Sequence, residues 1–365
     1  MRKLKSYLPL VFVAFCICYT LLNPYRIAFH ARNAIKICAF SLVPTLFVFM
    51  VFSRMLANLC FFSHPSGKVM TLLSHLLNLP PHLIPICISG LFCGAPSGAF
   101  AISRIYQSGG CSEKQAERAC IISNNCSAAF ILGFVCSVIQ SKTASFYILL
   151  SNITATFVVY LLFFRGTQSE EKSTTLSKNS CPRLCEMITD SISSSVTSTI
   201  ALCGYVLFFY TFTQTLCDII LPIAESITPR ENSSVFVTVI SSFTEITSGV
   251  LRMSELDREK AIVICASFVA FTSLSMIFQV CDVMKRCRIS VKNYVTSKIL
   301  CGLVSPVITT LLLLLSPKTI IVSAQYAQKN TSGFKPEDVF SLVFVTLITF
   351  IGAYILTRLD KKHKK

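Results

Sequence analysis

Charge is what this 365-residue chain has least of. Asp, Glu, Lys and Arg make up 14% of it, against about 25% in an ordinary soluble domain. A soluble protein of this length needs more charged surface than that, while 53% of the residues are hydrophobic. Paired cysteine motifs are also missing. There are 18 cysteines but no C-x-x-C, and most lie inside apolar runs, as Cys16, Cys38, Cys136 and Cys265 do. There they act as small apolar residues; a disulfide framework belongs to short secreted chains. The five histidines show no metal-ligand spacing. No nucleophile–base set and no phosphate loop is present, so an enzyme, a cofactor and a bound metal are not expected. No basic stripe interleaved with aromatics appears, which argues against nucleic acid. After the basic start Arg2, Lys3, Lys5 and the apolar run Tyr7 to Leu22, no small-x-small cleavage site follows. That run is expected to stay as a first membrane helix.

What is present is a succession of apolar runs near the length of about 20 residues that spans a bilayer. Eight crossings are expected, at 7–22, 37–53, 119–139, 144–164, 195–216, 261–281, 299–316 and 339–357. The segment Pro24 to Lys36 reads as an amphipathic helix at the interface. Two further apolar stretches, 82–107 and 233–250, are interrupted by small and polar residues and read as re-entrant. The expected organisation is 1–81 (N-terminal helices), 82–164 (first repeat), 165–232 (polar loop and linking helix), 233–316 (second repeat) and 317–365 (last helix and basic tail). With the N-terminus cytoplasmic, 22 of the 33 Lys and Arg fall on cytoplasmic segments. That two-to-one bias fits the positive-inside rule with both ends cytoplasmic.

The chain also repeats itself. Residues 112–119 read S-E-K-Q-A-E-R-A and 254–261 read S-E-L-D-R-E-K-A, identical at four of eight positions. Each octet begins with a capping pattern, Ser112 with Gln115 and Ser254 with Asp257. Each follows an interrupted apolar stretch containing Ser-Gly, at Ser97-Gly98 and Ser248-Gly249. Ile88-Ser89 and Ile240-Ser241 stand upstream. Three expected crossings separate the two units, so they are expected to have opposite orientation. Inverted repeats with broken helices at membrane depth are a transporter signature. Irregular backbone there is tolerated where it lines a polar cavity. A half-helix N-terminus aimed into that cavity would offer free N–H groups to a small polar or anionic solute.

Particular motifs carry a resemblance. Residues 90–98 read G-L-F-C-G-A-P-S-G and 117–133 read E-R-A-C-I-I-S-N-N-C-S-A-A-F-I-L-G. Ser41 to Phe47 reads S-L-V-P-T-L-F, and later come Glu245, Thr247, Gly249, Ser275 and Gln279. In these the chain resembles the sporulation integral membrane proteins with nucleoside-recognition Gate domains, and among them the dipicolinic acid transporters. The resemblance covers roughly 5–360. It departs from the family where Ala270, Thr272 and Ser273 replace expected glycines. It implies a concentrative-nucleoside-transporter-like, all-α polytopic membrane fold of about eight helices and two re-entrant hairpins. It further implies movement of dipicolinate, a small anionic solute, across the outer forespore membrane. Transport of nucleosides, or a non-transporting role in spore-envelope assembly, are the alternatives. A homo-oligomer is open.

The expected solute-binding residues are Gly94, Pro96, Ser97, Gly98, Asn124, Asn125, Ser127, Thr244, Glu245, Thr247, Ser248, Gly249 and Gln279. Asn124 and Asn125 have a competing role in bonding between helices. Glu245 is an acid in an uncharged stretch, a functional candidate by default and a possible carrier of a coupling proton. Uptake with unchanged pH dependence in Glu245→Gln would exclude that carrier role. Arg104 and Arg118 serve either to attract a dicarboxylate or, more commonly, as anchors on the cytoplasmic side. The serines and threonines of 191–199 line a polar path or bond across helices.

Overall fold

The computed structural model describes residues 2–62, 68–164, 183–227 and 230–315. Among them there are helices and short turns but no strand. Helix α1 (Arg2–Leu22) turns by 98° at Asn23 into α2 (Pro24–Ile37). Pro24 sits in the first turn of α2, where its missing N–H leaves nothing unpaired. The expected amphipathic helix is therefore α2. Its buried face carries His30 and Ala34, it packs on α10 (Leu184–Ile227), and the His30 Nε2 lies 2.9 Å from the Asp218 Oδ2. A π turn (Cys38–Leu42) leads from α2 into α3 (Val43–Phe62), followed by α4 (Lys68–Leu77).

Next comes a helical hairpin, α5 (Ile84–Cys93) and α6 (Ser97–Gln107), interrupted at Gly94 to Pro96. Helix α7 (Glu113–Ser123) stops at Asn124, and helix resumes only at Ala128, running through a π turn into α8 (Cys136–Ile139). The unbroken α9 (Lys142–Phe164) follows. The chain then passes through α10 and repeats the order. Helices α11 (Arg230–Thr244) and α12 (Ile246–Arg252) are interrupted at Glu245. Helices α13 (Arg258–Phe271) and α14 (Ser273–Arg286) are interrupted at Thr272, and α15 (Lys292–Leu315) is continuous.

Among the described residues four helical stretches are long and apolar enough to cross a membrane: α9, α10, Arg258–Arg286 and α15. The number rises to six if each of two sharply bent pairs counts as one span. That is fewer than the eight expected from the sequence; the run 339–357 lies outside the described residues. Two expected crossings, 119–139 and 261–281, are broken in the middle. Large apolar side chains cover the outside, among them Leu10, Phe40, Phe52, Leu162, Ile200, Phe208 and Leu314. Water would penalise such a surface, whereas hydrocarbon suits it. Helix α10 has 44 residues, about 66 Å at 1.5 Å per residue. It is twice as long as a bilayer core requires, so the expected crossing 195–216 is only its middle.

The interior is built on α9, α13 and α15, which pack on one another. Every residue from Ala261 to Phe271 is buried, as expected of a helix apolar all round its circumference. Hydroxyls join these helices. Ser267 donates to the Gly302 carbonyl at 2.7 Å, and Ser305 and Thr309 both reach Ser151, at 3.1 and 2.7 Å. Short polar side chains serve this purpose where no water is available.

The two octets start differently. Ser112 closes a complete capping box, accepting from the Gln115 N–H while the Gln115 side chain accepts from the Ser112 N–H. Ser254 caps nothing: it sits in a 3-10 turn and its hydroxyl donates to the Leu251 carbonyl at 2.8 Å. Helix α13 begins instead after Asp257, whose side chain makes no capping bond.

Candidate functional site

Both hairpin interruptions and the first helix break meet in the interior. At the first hairpin Gly94 has φ +77° and ψ 175°, a conformation that a side chain resists. A Cβ on Gly94 would also lie 2.7 Å from the Ser127 nitrogen. On the returning arm, a Cβ on Gly98 would overlap Ser123. The glycines thus let the hairpin close onto the broken part of α7. Backbone pairing then joins the two irregular segments, with the Ala95 N–H donating to the Asn125 carbonyl at 2.8 Å. Each break satisfies part of the other, which is how a non-helical backbone survives away from water.

Asn124 and Asn125 sit at the centre of this joint and are fully buried. The Asn124 Oδ1 accepts from the Ala99 N–H at 2.9 Å, capping α6, and its Nδ2 donates to the Cys120 carbonyl at 2.9 Å. The Asn125 Oδ1 accepts from the Thr156 hydroxyl at 2.9 Å and from the Lys298 Nζ at 2.6 Å. Its Nδ2 donates to the Ile122 carbonyl at 2.6 Å.

The second hairpin is capped from within. Glu245 is 1% exposed. Its Oε1 accepts from the Thr247 N–H at 3.0 Å and its Oε2 from the Ser248 N–H at 2.6 Å. A carboxylate at a helix start satisfies orphan donors and complements the dipole. Gly249 packs against Ser242, where a Cβ would overlap. Thr244 bonds Thr213 at 2.7 Å, and Ser248 accepts from the Gln214 Nε2 at 2.6 Å, both partners being on α10.

These bonds correct one expectation. Several of the N–H groups expected to point freely into a cavity are taken: Asn124 accepts from Ala99 in the first returning arm, and Glu245 accepts from Thr247 and Ser248 in the second.

Between the tips lies a cavity of about 50 Å³. Its polar wall is Ser127, Glu245, Thr247, Ser275 and Gln279; its apolar wall includes Leu42, Leu46, Leu202 and Val206. Ser275 and Gln279, four residues apart, share one face of α14. Both are buried, and neither the Ser275 Oγ nor the Gln279 Oε1 has a hydrogen-bond partner. Unpaired buried polar atoms are uncommon and call for a cause. A larger groove of about 640 Å³ lies elsewhere, lined by Phe12, Phe208, Phe212 and Phe278 among others. It offers hydrocarbon and aromatic surface, suited to acyl chains rather than to a polar solute.

Of the expected site residues, Ser127, Glu245, Thr247 and Gln279 therefore line the cavity together. Gly94, Pro96, Ser97, Gly98, Thr244, Ser248 and Gly249 shape the tips, while Asn124 and Asn125 hold them from behind. Arg118 also has a packing role: its guanidinium lies 4.9 Å from the centre of the Phe164 ring and reaches the Asn78 carbonyl at 3.4 Å.

Lys298 was not foreseen as a site residue. By charge it counted among the cytoplasmic-side residues, but it lies on α15 with no exposed surface. Its Nζ is 5.5 Å from the centre of the Tyr294 ring, and no carboxylate among the described residues is within ion-pair distance. The available signal was its position: six residues into a helix that begins at Lys292. Comparison of the chain with family models, with curated proteins and with solved structures found no match.

Proposed function

We propose that this protein is a membrane transporter for a small planar solute, built from two oppositely oriented repeats. The observation that carries the reading is the cavity between the two hairpin tips, where Ser275 and Gln279 present unpaired polar atoms opposite an apolar wall. Such a pairing of apolar surface and a few polar groups suits recognition of a small molecule. At about 50 Å³, against the roughly 10–15 Å³ that one water needs on the same measure, the cavity has room for a few waters, and an aromatic solute would need it to widen.

The element order supports the repeat: hairpin, broken helix, continuous helix, then the same again after α10. The two continuous helices, α9 and α15, pack on each other. Long-range contacts support the inversion. His30 meets Asp218 and Arg258 reaches the Gln140 carbonyl, all on segments expected outside. Arg54 meets Ser198 near the inner end of α10, Gln107 meets Cys287, and Glu113 meets Ser290; these segments are expected inside.

Dipicolinate is the solute to test first, on the strength of the family resemblance, with the outer forespore membrane as the site of action. A second reading, an uncharged nucleoside, is favoured by Glu245 in the cavity wall, since a carboxylate accepts hydrogen bonds from sugar hydroxyls and repels an anion. Deletion in the source organism, combined with vesicle uptake, tests both. The expected result is spores poor in dipicolinate while the mother cell accumulates it, with uptake outcompeted by dipicolinate and not by nucleosides. The reverse competition selects the nucleoside reading. Normal spore dipicolinate in the deletion strain, with vesicles carrying the protein taking up neither solute, would sink transport; a spore-envelope defect without any change in dipicolinate would favour envelope assembly.

A further inference from the structure

Asn124 and Glu245 already accept from N–H groups at the two tips, and Glu245 stands in the cavity wall. If the solute is an anion, its charge must be recognised elsewhere. Helix α10 shows where. Ser191, Ser195, Ser198, Leu202 and Val206 are spaced by four, three, four and four residues, and so form one face. Leu202 and Val206 line the cavity. Towards the N-terminus the same face becomes hydroxylic, with Ser191, Ser195 and Ser198 all buried. The Ser191 and Ser195 hydroxyls have no hydrogen-bond partner.

Two arginines converge on that end. Arg54 of α3 donates to the Ser198 Oγ at 2.5 Å, and Arg104 of α6 donates to the Ser194 Oγ at 3.2 Å. The two guanidinium groups lie within electrostatic reach of each other, and Arg54 also within reach of Cys93, which lines the cavity. Among the described residues neither arginine has a carboxylate within ion-pair distance. Asp190, one turn before Ser194, is exposed and makes no such pair. Two like charges within electrostatic reach of each other, with no counter-ion among the described residues and beside unpaired buried hydroxyls, are a disposition that carboxylate oxygens satisfy.

We infer that the junction of α3, α6 and α10 is an anion-selecting vestibule, in which Arg54 and Arg104 take up the carboxylate of a small organic acid and the serine face of α10 conducts it to the cavity. This inference rests on the anionic-solute reading above. It assigns the charge recognition to groups outside the cavity, leaving Ser275 and Gln279 to read the ring.

The test is uptake by the full-length protein in liposomes, with dipicolinate and with its uncharged diamide. Arg54→Gln should raise KM for dipicolinate about tenfold or more, with kcat changed by less than about twofold. Arg104→Gln, on an exposed side chain, should have a smaller effect in the same direction. Diamide uptake should be unchanged in both variants. Raising salt from about 0.02 M to about 0.2 M should slow the wild type at low dipicolinate and the double variant far less. Arg54→Lys, which keeps the charge, should retain most of the affinity and guards against a folding artefact. Wild-type dipicolinate uptake with unaltered KM in both glutamine variants overturns the vestibule and leaves the transporter reading standing. Equal losses for dipicolinate and diamide also overturn it, as loss of fold or of general packing. A wild type that takes up neither dipicolinate nor any competing carboxylate overturns the vestibule together with the anionic-solute reading and leaves the nucleoside reading.

Discussion

Lys298 is costly to place where it is, with no exposed surface. An ammonium at membrane depth costs about 2.5–3.5 kcal/mol even on permissive scales. Here an amide oxygen and an aromatic face, not a carboxylate, receive it. Buried charges can often be replaced by apolar residues of similar volume without loss of stability. If the ammonium is kept for function, Lys298→Met should fold with a melting temperature within a few degrees of wild type and lose uptake by about tenfold or more. Purified variant, melted and then assayed in liposomes, decides this; full uptake would assign Lys298 to packing. The sequence could not distinguish it from a cytoplasmic-side anchor, because a lysine near a helix start looks the same whichever way the helix face turns. Glu245 was readable as special, being an acid in an uncharged stretch. Its work as the cap of α12 was not readable, since capping depends on where the helix breaks.

At the scale of the element, the breaks marked by glycine and proline were legible and those without them were not. Gly94, Pro96 and Gly98 announce the first hairpin, and Gly249 the second. The break in α13–α14 falls at Thr272 and Ser273, with φ of 70° and 53°. These are left-handed values that usually select glycine, and they lie where the family resemblance expects glycine. Neither Thr nor Ser signals a break, so 261–281 read as one continuous crossing. The octet repeat was half right for a related reason: its residues recur, but its caps do not. Ser112→Ala should cost about 1 kcal/mol by removing a complete capping box, while Ser254→Ala should change stability by less than about 0.5 kcal/mol. Chemical or thermal unfolding of the two variants side by side checks this, and equal losses would contradict the structure of the second start.

Across the whole molecule, composition points to a helical membrane protein and charge bias proposes a sidedness; His30–Asp218 and Arg258–Gln140 join segments expected on one side, whereas Lys298, expected at the cytoplasmic side, is buried against Asn125. Of the eight expected crossings, the described residues supply four to six helices long and apolar enough to span, and a hydropathy run does not reveal whether its helix faces lipid or lies in the middle of the protein, as α13 does. Cysteine labelling tests the sidedness. In a cysteine-depleted background, Gln140→Cys should react with an impermeant maleimide added outside intact cells. Arg288→Cys should react only after permeabilisation. Both positions are exposed; reaction of both from the same side would rule out the inverted arrangement.

The two hairpin tips differ in what they hang from. The first is bonded through Asn125 to Thr156 of α9 and Lys298 of α15, the central pair. The second is bonded to α10, through Thr213 to Thr244 and through Gln214 to Ser248 and Arg252. A sideways shift of α10 must therefore drag the second tip along or break those three bonds, whereas on the first hairpin it meets the exposed Arg104 bond to Ser194, about two turns from the tip. Helix α10 is a crank fastened to one jaw, and the other jaw is bolted to the frame.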